Sequence, residues 1–593
     1  MKGYIKKILF IIDTDKKKIP FLIVTFCFLS FLDILGISLL IPIVTSISSG
    51  EITIPGVSDD FLNMGLSEPK DFTVLSLFII GVFVIKGFFA FFVQRKILNF
   101  GYSIQELLIQ KLLFIYQRMP YQEIGQRNSS AIIQTVIGNL ELFNFNTLIA
   151  IVRLTAELIA CTLIIIFLCL ISIEATLIIG ILAIITFYLY DKIFRSGIVY
   201  TGKQAAVGRE GVIKGLNESL SGYKVIRSLG LYNYFLNIIR ENAAIMKTNT
   251  VRYKAIFTIP RYLIESSAVI FLMLFLAIAI NIGHELDQLL ATFTLFALAI
   301  VRLMPSFNAI VGSLSAMRNS KFTVDELYND LKTYLPDTDK FYLELDKSQS
   351  STQEVSTDFS EIKINKVFFR YKESDNFVLK DLSLNIKRGQ VIGIIGNSGA
   401  GKTTLLDLIV GIHSPETGKI LVDERDVSEN FNLWLSKICY LPQNPFLTDD
   451  TIKNNICLAI PEEEIDFEKL DFVLGATKLS SYINDLPDGL ETGVGEEGIK
   501  VSGGQKQRIA MARALYYDRT IFIMDEGTSA LDKSTEHAIL EQINAFKGDR
   551  TFIIIAHNLS TLRHCDSIFE LSEGSIIKEH KYSDLIGDNR DFS

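Results

Sequence analysis

The chain has 593 residues, 49% of them apolar, and a formal net charge of -8; it exceeds one domain, is too apolar to be wholly water-soluble, and is too mildly and evenly charged to offer a nucleic-acid surface. Its six cysteines (Cys27, Cys161, Cys169, Cys439, Cys457 and Cys565) are scattered without metal spacing, which argues against a zinc site and a disulfide framework.

Lys16, Lys17 and Lys18 precede an apolar run from Ile19 to Ile47 that is too long for a signal-peptide core and lacks a small-residue cleavage site, so it is read as a membrane anchor. Runs near the length of a bilayer span recur at 19–47, 72–94, 143–171, 174–190, 255–282 and 286–316. They predict six transmembrane helices that project well into the cytoplasm. Ser49 to Asp71 holds five acidic residues and one lysine, whereas Tyr190 to Ala255 holds eleven basic against four acidic. Basic loops stay inside, so the N-terminus is cytoplasmic and six crossings return the chain there.

Charges at membrane depth are costly and default to functional candidates. Arg261 lies four residues from Glu265, a spacing at which the two neutralise each other on a helix face, whereas Lys86 and Arg302 have no such local partner. Lys86, Arg261 and Arg302 either give a water-filled cavity a cationic lining suited to phosphate, or snorkel, or pair across helices with Asp33.

Residues 1–320 therefore read as a membrane domain and 321–360 as a linker, which ends in the polar stretch SQSSTQEVSTDFS. From 361 to 593 short β-rich runs alternate with helical patterns, an α/β domain. Tyr371, ending VFFRY, either stacks on a nucleotide base or packs at a core edge. GNSGAGKT follows a hydrophobic strand: Gly396, Gly399 and Gly401, with Asn397, Ser398 and Ala400 between them, bring backbone N–H groups to phosphate. Lys402 adds a point charge, and Thr403, followed by Thr404, offers a hydroxyl to magnesium. Gln443 lies in YLPQNPFL. VSGGQKQR opens a helix and presents a second set of N–H groups to phosphate. IFIMDE is a buried strand ending in Asp525, suited to the magnesium shell, and Glu526, suited to polarising an attacking water; the bland reading is two carboxylates capping a loop. His557 follows the strand of FIIIAHNLST, either as a structural residue or as a γ-phosphate contact.

Tyr371, the loop from Gly396 to Thr404, Gln443, VSGGQ, DEGTSALD and His557, in this order, resemble the motif set of ATP-binding cassette (ABC) transporters. The first half resembles the six-helix membrane domain of the exporter group, so the likeness spans almost the whole chain. It implies a polytopic α-helical membrane domain followed by an α/β P-loop ATPase domain, which uses ATP and Mg²⁺. It implies also that Ser502, Gly503, Gly504, Gln505 and Asp532 serve a partner's ATP across a head-to-tail seam, while Lys402, Glu526 and His557 act on the chain's own. Thr403, Gln443 and Asp525 would surround the metal. A single chain that carries every motif implies a homodimer. Val501, Gly527 and Asn558 depart from the usual leucine, alanine and arginine without removing a charge from the chemistry. PYQEIGQRNSSAI, from Pro120, and LSGYKVIRSLG, from Leu220, resemble the family's coupling segments.

LDILGISLLIPIV, TIPRYLIESS and LAIVRLMPSFN are similar to the membrane halves of bacterial lipid-linked oligosaccharide flippases. That likeness implies an inner-membrane translocase for a polyprenyl-pyrophosphate glycan, with Lys86, Arg261 and Arg302 on the headgroup and the tail against apolar helix faces. An exporter of peptides, drugs or other lipids, and an ATP-gated channel or regulator, are the competing readings.

Overall fold

The computed structural model describes residues 2–12, 17–38, 69–171, 173–282, 286–335, 359–372, 374–525, 533–556 and 558–585. They fall into two compact units, one of residues 1–119 and 127–348, the other of residues 120–126 and 349–593.

The first unit is helical. Its elements are α1 (Lys2–Ile12), α2 (Ile19–Ser38) and α3 (Pro69–Arg118). After α4 (Tyr121–Gln126), which belongs to the second unit, come α5 (129–171), α6 (Ile173–Ser221), α7 (Tyr223–Leu229), α8 (Tyr232–Ile282), α9 (Leu286–Asn319) and α10 (Lys321–Tyr334). Among the described residues three stretches are long and apolar enough to cross a membrane: Ser129–Ile166, Thr176–Ser221 and Tyr232–Leu274. At 49 and 51 residues, α6 and α8 would be about 75 Å long, more than twice the roughly 30 Å of bilayer hydrocarbon. Much of each therefore lies beyond any membrane.

A glycine face explains how these two helices pack along their length. A Cβ on Gly208 of α6 would lie 2.8 Å from the Met246 backbone nitrogen and 2.9 Å from the Asn242 carbonyl of α8, so only glycine permits this backbone approach. Nearer the apolar ends, Tyr190 and Ile198 of α6 meet Ile256 of α8 and Val311 of α9 in one buried cluster. The Tyr190 hydroxyl lies 3.2 Å from Ser315 Oγ.

Two π-turns, Gln134–Asn139 and Asn144–Ile149, interrupt α5. They bury side chains that an apolar-run reading has no use for, and Ser320 together with Glu326 of α10 supplies partners for three of them. Asn139 donates to Glu326 (2.8 Å), Thr135 donates to it too (3.2 Å), and Thr147 Oγ1 lies 2.9 Å from Ser320 Oγ. Burial raises the Glu326 pKa above its usual range. Residues 321–334, placed in the linker by composition, are thus a helix docked within the first unit. One turn on, Arg127 grips Asp330 with two hydrogen bonds (2.8 and 2.9 Å) and Tyr116 donates to the same carboxylate at 2.9 Å.

In the second unit, β1 (Glu361–Phe369), β2 (Leu379–Lys387), β4 (Thr417–Val422) and β5 (Arg425–Asp426) form an antiparallel sheet in the order β2-β1-β4-β5. The larger sheet runs β10-β9-β3-β8-β7-β6, with β3 (Val391–Ile395), β6 (Ile438–Leu441), β7 (Ile521–Asp525), β8 (Thr551–Ile555), β9 (Ser567–Ser572) and β10 (Ser575–His580). All its pairs are parallel except β9 with β10. Every residue of β3, β7 and β8 is buried, as parallel strands covered on both faces require. One face packs against the antiparallel sheet and α11 (Lys402–Val410); the other packs against α12 (Phe467–Ala476), α13 (Gly503–Tyr516) and α14 (Lys533–Ala545).

The Arg127–Asp330 grip gives a nearly buried carboxylate its cationic partner. Arg127→Ala is expected to cost about 2 kcal/mol, and Arg127→Ala with Asp330→Asn less than the two separate costs combined. Thermal melts of the purified wild type, single and double variants check this; additive costs would show that the pair is not coupled.

Candidate nucleotide site

In α/β sheets ligands sit beyond the carboxyl ends of the parallel strands. Here the register does the positioning. Ile394 of β3 lies opposite Ile555 of β8, and Ile555 opposite Asp525 of β7. The loop after β3 and the acid ending β7 therefore emerge at one edge, two strands apart. Gln443, exposed, follows β6, whose last residue Leu441 pairs with Met524.

Between β3 and α11, Asn397, Ser398 and Gly399 form an exposed lip and Ala400 is buried. Gly401 caps α11 with φ 102°, and a Cβ there would lie 2.8 Å from the Leu379 side chain; the turn admits only glycine without strain. The first N–H groups of α11 thus open toward the lip, a ready anion site. Lys402, buried, folds its ammonium back over the loop and donates to the carbonyls of Gly396 (2.6 Å) and Asn397 (3.1 Å). Thr403 is exposed on the first turn. Thr404 is buried, and its hydroxyl lies 3.0 Å from that of Tyr371, so it meets the aromatic side of the site.

Tyr371 stands edge-on to Phe369 (5.2 Å, 81°) and to His413 (5.6 Å, 85°). His413 stacks on Phe369 at 5.0 Å, and burial lowers its pKa. On its other side the ring of Tyr121, from α4, meets His413 at 5.5 Å and 67°. Glu123 of α4 pairs with Lys372, next to Tyr371, at 2.7 Å.

Sequence reading missed Asp407, four residues after Thr403 and so on the same helix face. Its pKa rises to about 6 because it is buried and because Asp525 bears a like charge. A carboxylate in an apolar helical run was the available signal. Hydroxyl, carboxylate and amide oxygens from Thr403, Asp525 and Gln443 are hard donors that fit a divalent cation such as Mg²⁺.

The helix that VSGGQKQR opens, α13, is capped by its own sequence. Ser502 accepts from the Gln505 backbone N–H (3.3 Å) and Gln505 Oε1 accepts from the Ser502 backbone N–H (2.7 Å). Gly503 and Gly504 start α13, with Ser502 and Gly503 exposed. Glu526, Asp532 and His557 lie outside the described residues. Of the membrane charges, Arg261 is exposed and pairs with Glu265 at 2.9 Å. The Lys86 ammonium lies 5.1 Å from the Phe83 ring centroid. Arg302 is on α9, with its side chain outside the description.

A phosphate-binding loop, an acid at the end of a strand two places along the same sheet and a capped glycine-rich helix start define a P-loop nucleotide-binding domain, joined here to a unit of long apolar helices. Residues 379–529 match the family model described as ABC transporter: the chain carries an ABC transporter domain and has the fold of an ABC exporter. A bacterial Atm1-family ABC exporter with ATP bound superposes with a TM-score of 0.77 at 18% identity, covering 98% of this chain and 96% of that one. The ATP-dependent lipid A-core flippase of Alkalilimnicola ehrlichii is 30% identical over 398 residues, 65% of this chain and 63% of its own. The alpha-hemolysin translocation ATP-binding protein HlyB of Escherichia coli is 39% identical over 229 residues, 38% of this chain and 32% of its own. The chain thus spans just under two thirds of the flippase's length in the matched region.

Gly401→Ala puts a side chain at a left-handed position against Leu379. ATP affinity is expected to fall at least roughly tenfold, with about 1 to 2 kcal/mol lost in stability. Fluorescent-nucleotide titration and thermal melts measure the two effects.

Proposed function

We propose that the chain is half of a homodimeric, ATP-driven exporter in a bacterial inner membrane, with six crossings and with its N-terminus and ATPase domain in the cytoplasm. The observation that carries this reading is that one domain holds two phosphate-seeking elements: the Lys402 loop at the sheet edge beside Asp525, and the exposed, self-capped start of α13. A single nucleotide needs one such cradle. The second is best used by another copy's nucleotide, so that Ser502, Gly503, Gly504, Gln505 and Asp532 face a partner's loop.

In this reading Lys402 and His557 bind the γ-phosphate, Asn397 to Thr404 wrap the phosphates, Tyr371 supports the base, and Glu526 orients the attacking water. Thr403, Gln443 and Asp525 would hold Mg²⁺, which when bound neutralises phosphate charge. ATP joins the two domains and its hydrolysis lets them part. α4 carries that motion because Tyr121 and Glu123 rest on the residues that flank Tyr371.

The cargo we infer is an amphiphile, a lipid-linked oligosaccharide with a pyrophosphate headgroup. Relatives named lipid A-core flippases and the apolar surface of the helical unit, such as Phe88 and Ile184 at 76% and 69% exposure, support a lipidic cargo. Lys86, Arg261 and Arg302 would meet the headgroup.

The test is reconstitution in liposomes with a fluorescent lipid-linked glycan. Glu526→Gln should lower ATP turnover roughly a hundredfold or more and stop flipping while ATP still binds. Single alanine variants of Lys86, Arg261 and Arg302 should lose flipping with basal turnover nearly intact. Full hydrolysis by a strictly monomeric chain would overturn the shared-site reading; unchanged flipping in the three variants would remove them from the headgroup. Tyr121→Ala is expected to keep basal turnover but to lower flipping per ATP, and an unchanged ratio would exclude α4 as the coupling element.

A further inference from the structure

Two cavities in the helical unit are stacked along the same pair of helices, and their chemistries are opposite. The first, of about 610 Å³, is walled on α6 by residues from Thr176 to Phe187 and on α9 by residues from Ile300 to Leu314. Its lining is apolar apart from a few hydroxyls and one thiol. The second, of about 860 Å³, begins where the first stops: at Tyr188 on α6, running to Lys203, and on α9 at Arg318, with Lys321 beyond. Ile184 and Tyr188 on α6, and Leu314 and Arg318 on α9, are each one turn apart on a single helix face, so the two spaces adjoin.

The second cavity is cationic. Lys192, Arg195, Lys203, Arg318 and Lys321 line it with a single carboxylate, Asp191, which is taken by Arg318 in an ion pair. No carboxylate among the described residues pairs with the other four. Like charges gathered around one concavity repel one another, and an anion entering it relieves that repulsion. Arg195 offers a forked donor for phosphate oxygens, while the lysines act as mobile point charges. The position along α6 fits as well. The apolar run ends near Tyr190 and the cations follow at once, the level at which aromatic and basic side chains meet a membrane's headgroups.

We propose that the α6–α9 face binds an anionic lipid, with its phosphate-bearing head in the cavity around Lys192, Arg195 and Lys203 and its chain in the apolar cavity from Thr176 to Phe187. The apolar segment on α6 is about 17 Å long at 1.5 Å per residue, room for much of an acyl or prenyl chain. Both volumes lie in the range of ligand pockets. This site is separate from Lys86, Arg261 and Arg302, and Arg261 is already neutralised by Glu265. That the site loads cargo rests on the exporter reading; that it binds does not.

The experiment places the full-length chain in phosphatidylcholine nanodiscs and titrates it with fluorescent dioleoyl phosphatidic acid, with fluorescent phosphatidylcholine and inorganic phosphate as comparators. Saturable binding of phosphatidic acid is expected. It should weaken roughly tenfold or more in the triple variant Lys192→Gln, Arg195→Gln, Lys203→Gln, and recover when Lys192 and Lys203 are instead changed to arginine with Arg195 kept. Ala183→Trp, which fills the apolar cavity, should weaken phosphatidic acid equally and leave inorganic phosphate unaffected. Basal ATP turnover, retained in each variant, certifies folding. Equal binding of phosphatidylcholine would overturn the proposal by showing an ordinary lipid contact. Phosphate competing as strongly as the lipid, with no effect of Ala183→Trp, would overturn it by showing a free-anion site. A chain that binds phosphatidic acid as expected but flips no lipid would sink the exporter reading and leave the site standing.

Discussion

Parallel registration of β3, β8 and β7 is the constraint on which the second unit depends. These strands are buried on both faces, and their ends are the only places where polar groups can surface. A slip of one residue in β7 would draw Asp525 into the layer occupied by Met524, where an unpaired carboxylate costs several kcal/mol. The register is thereby locked by the chemistry it serves. The phosphate loop depends on it in turn, since Gly401 turns against Leu379, at the start of β2, and the loop can keep its shape only while the two sheets hold their spacing.

Once that edge is fixed, charge decides the rest of the site. Burial and the like charge of Asp525 raise the Asp407 pKa, while the Lys402 ammonium donates to the carbonyls of Gly396 and Asn397. A cation arriving with a nucleotide relieves the repulsion between the two acids, and a ligand that changes the local electrostatics in this way can drive a conformational cycle.

How much of this was legible in the sequence depended on the range of the forces involved. GNSGAGKT, IFIMDE and SGGQ are local devices: the spacing of glycines, a strand's apolar run and a helix cap are all written within a few residues. Asp407 was not legible, because its meaning comes from Asp525, which is 118 positions away. His413 is illegible for the same reason, since its neighbours Phe369 and Tyr371 at the end of β1, and Tyr121 of α4, come from two segments distant from it in the chain. Composition misassigned residues 321–334. Their polarity reads as linker, yet Glu326 and Asp330 are the partners of Asn139, Thr135, Arg127 and Tyr116, so polarity here is docking chemistry. The π-turns of α5 were hidden by the same effect: buried amides and hydroxyls look like breaks in an apolar period until their acceptors on α10 are known. Three bilayer-length helices among the described residues agree with the apolar runs, while hydropathy alone gave no hint of the glycine face that joins α6 to α8.

The Arg127–Asp330–Tyr116 knot sits where the chain leaves the helical unit. Tyr116 lies just before α4 and Arg127 just after it, while Asp330 lies five residues before the described part of α10's trailing segment ends at Leu335. Both covalent routes from the first unit to the second, through α4 and through the segment after α10, therefore begin at one carboxylate. Two independent attachments would let one route yield while the other held. A shared attachment of three charge-assisted hydrogen bonds instead ties both departure points to one carboxylate inside the first unit.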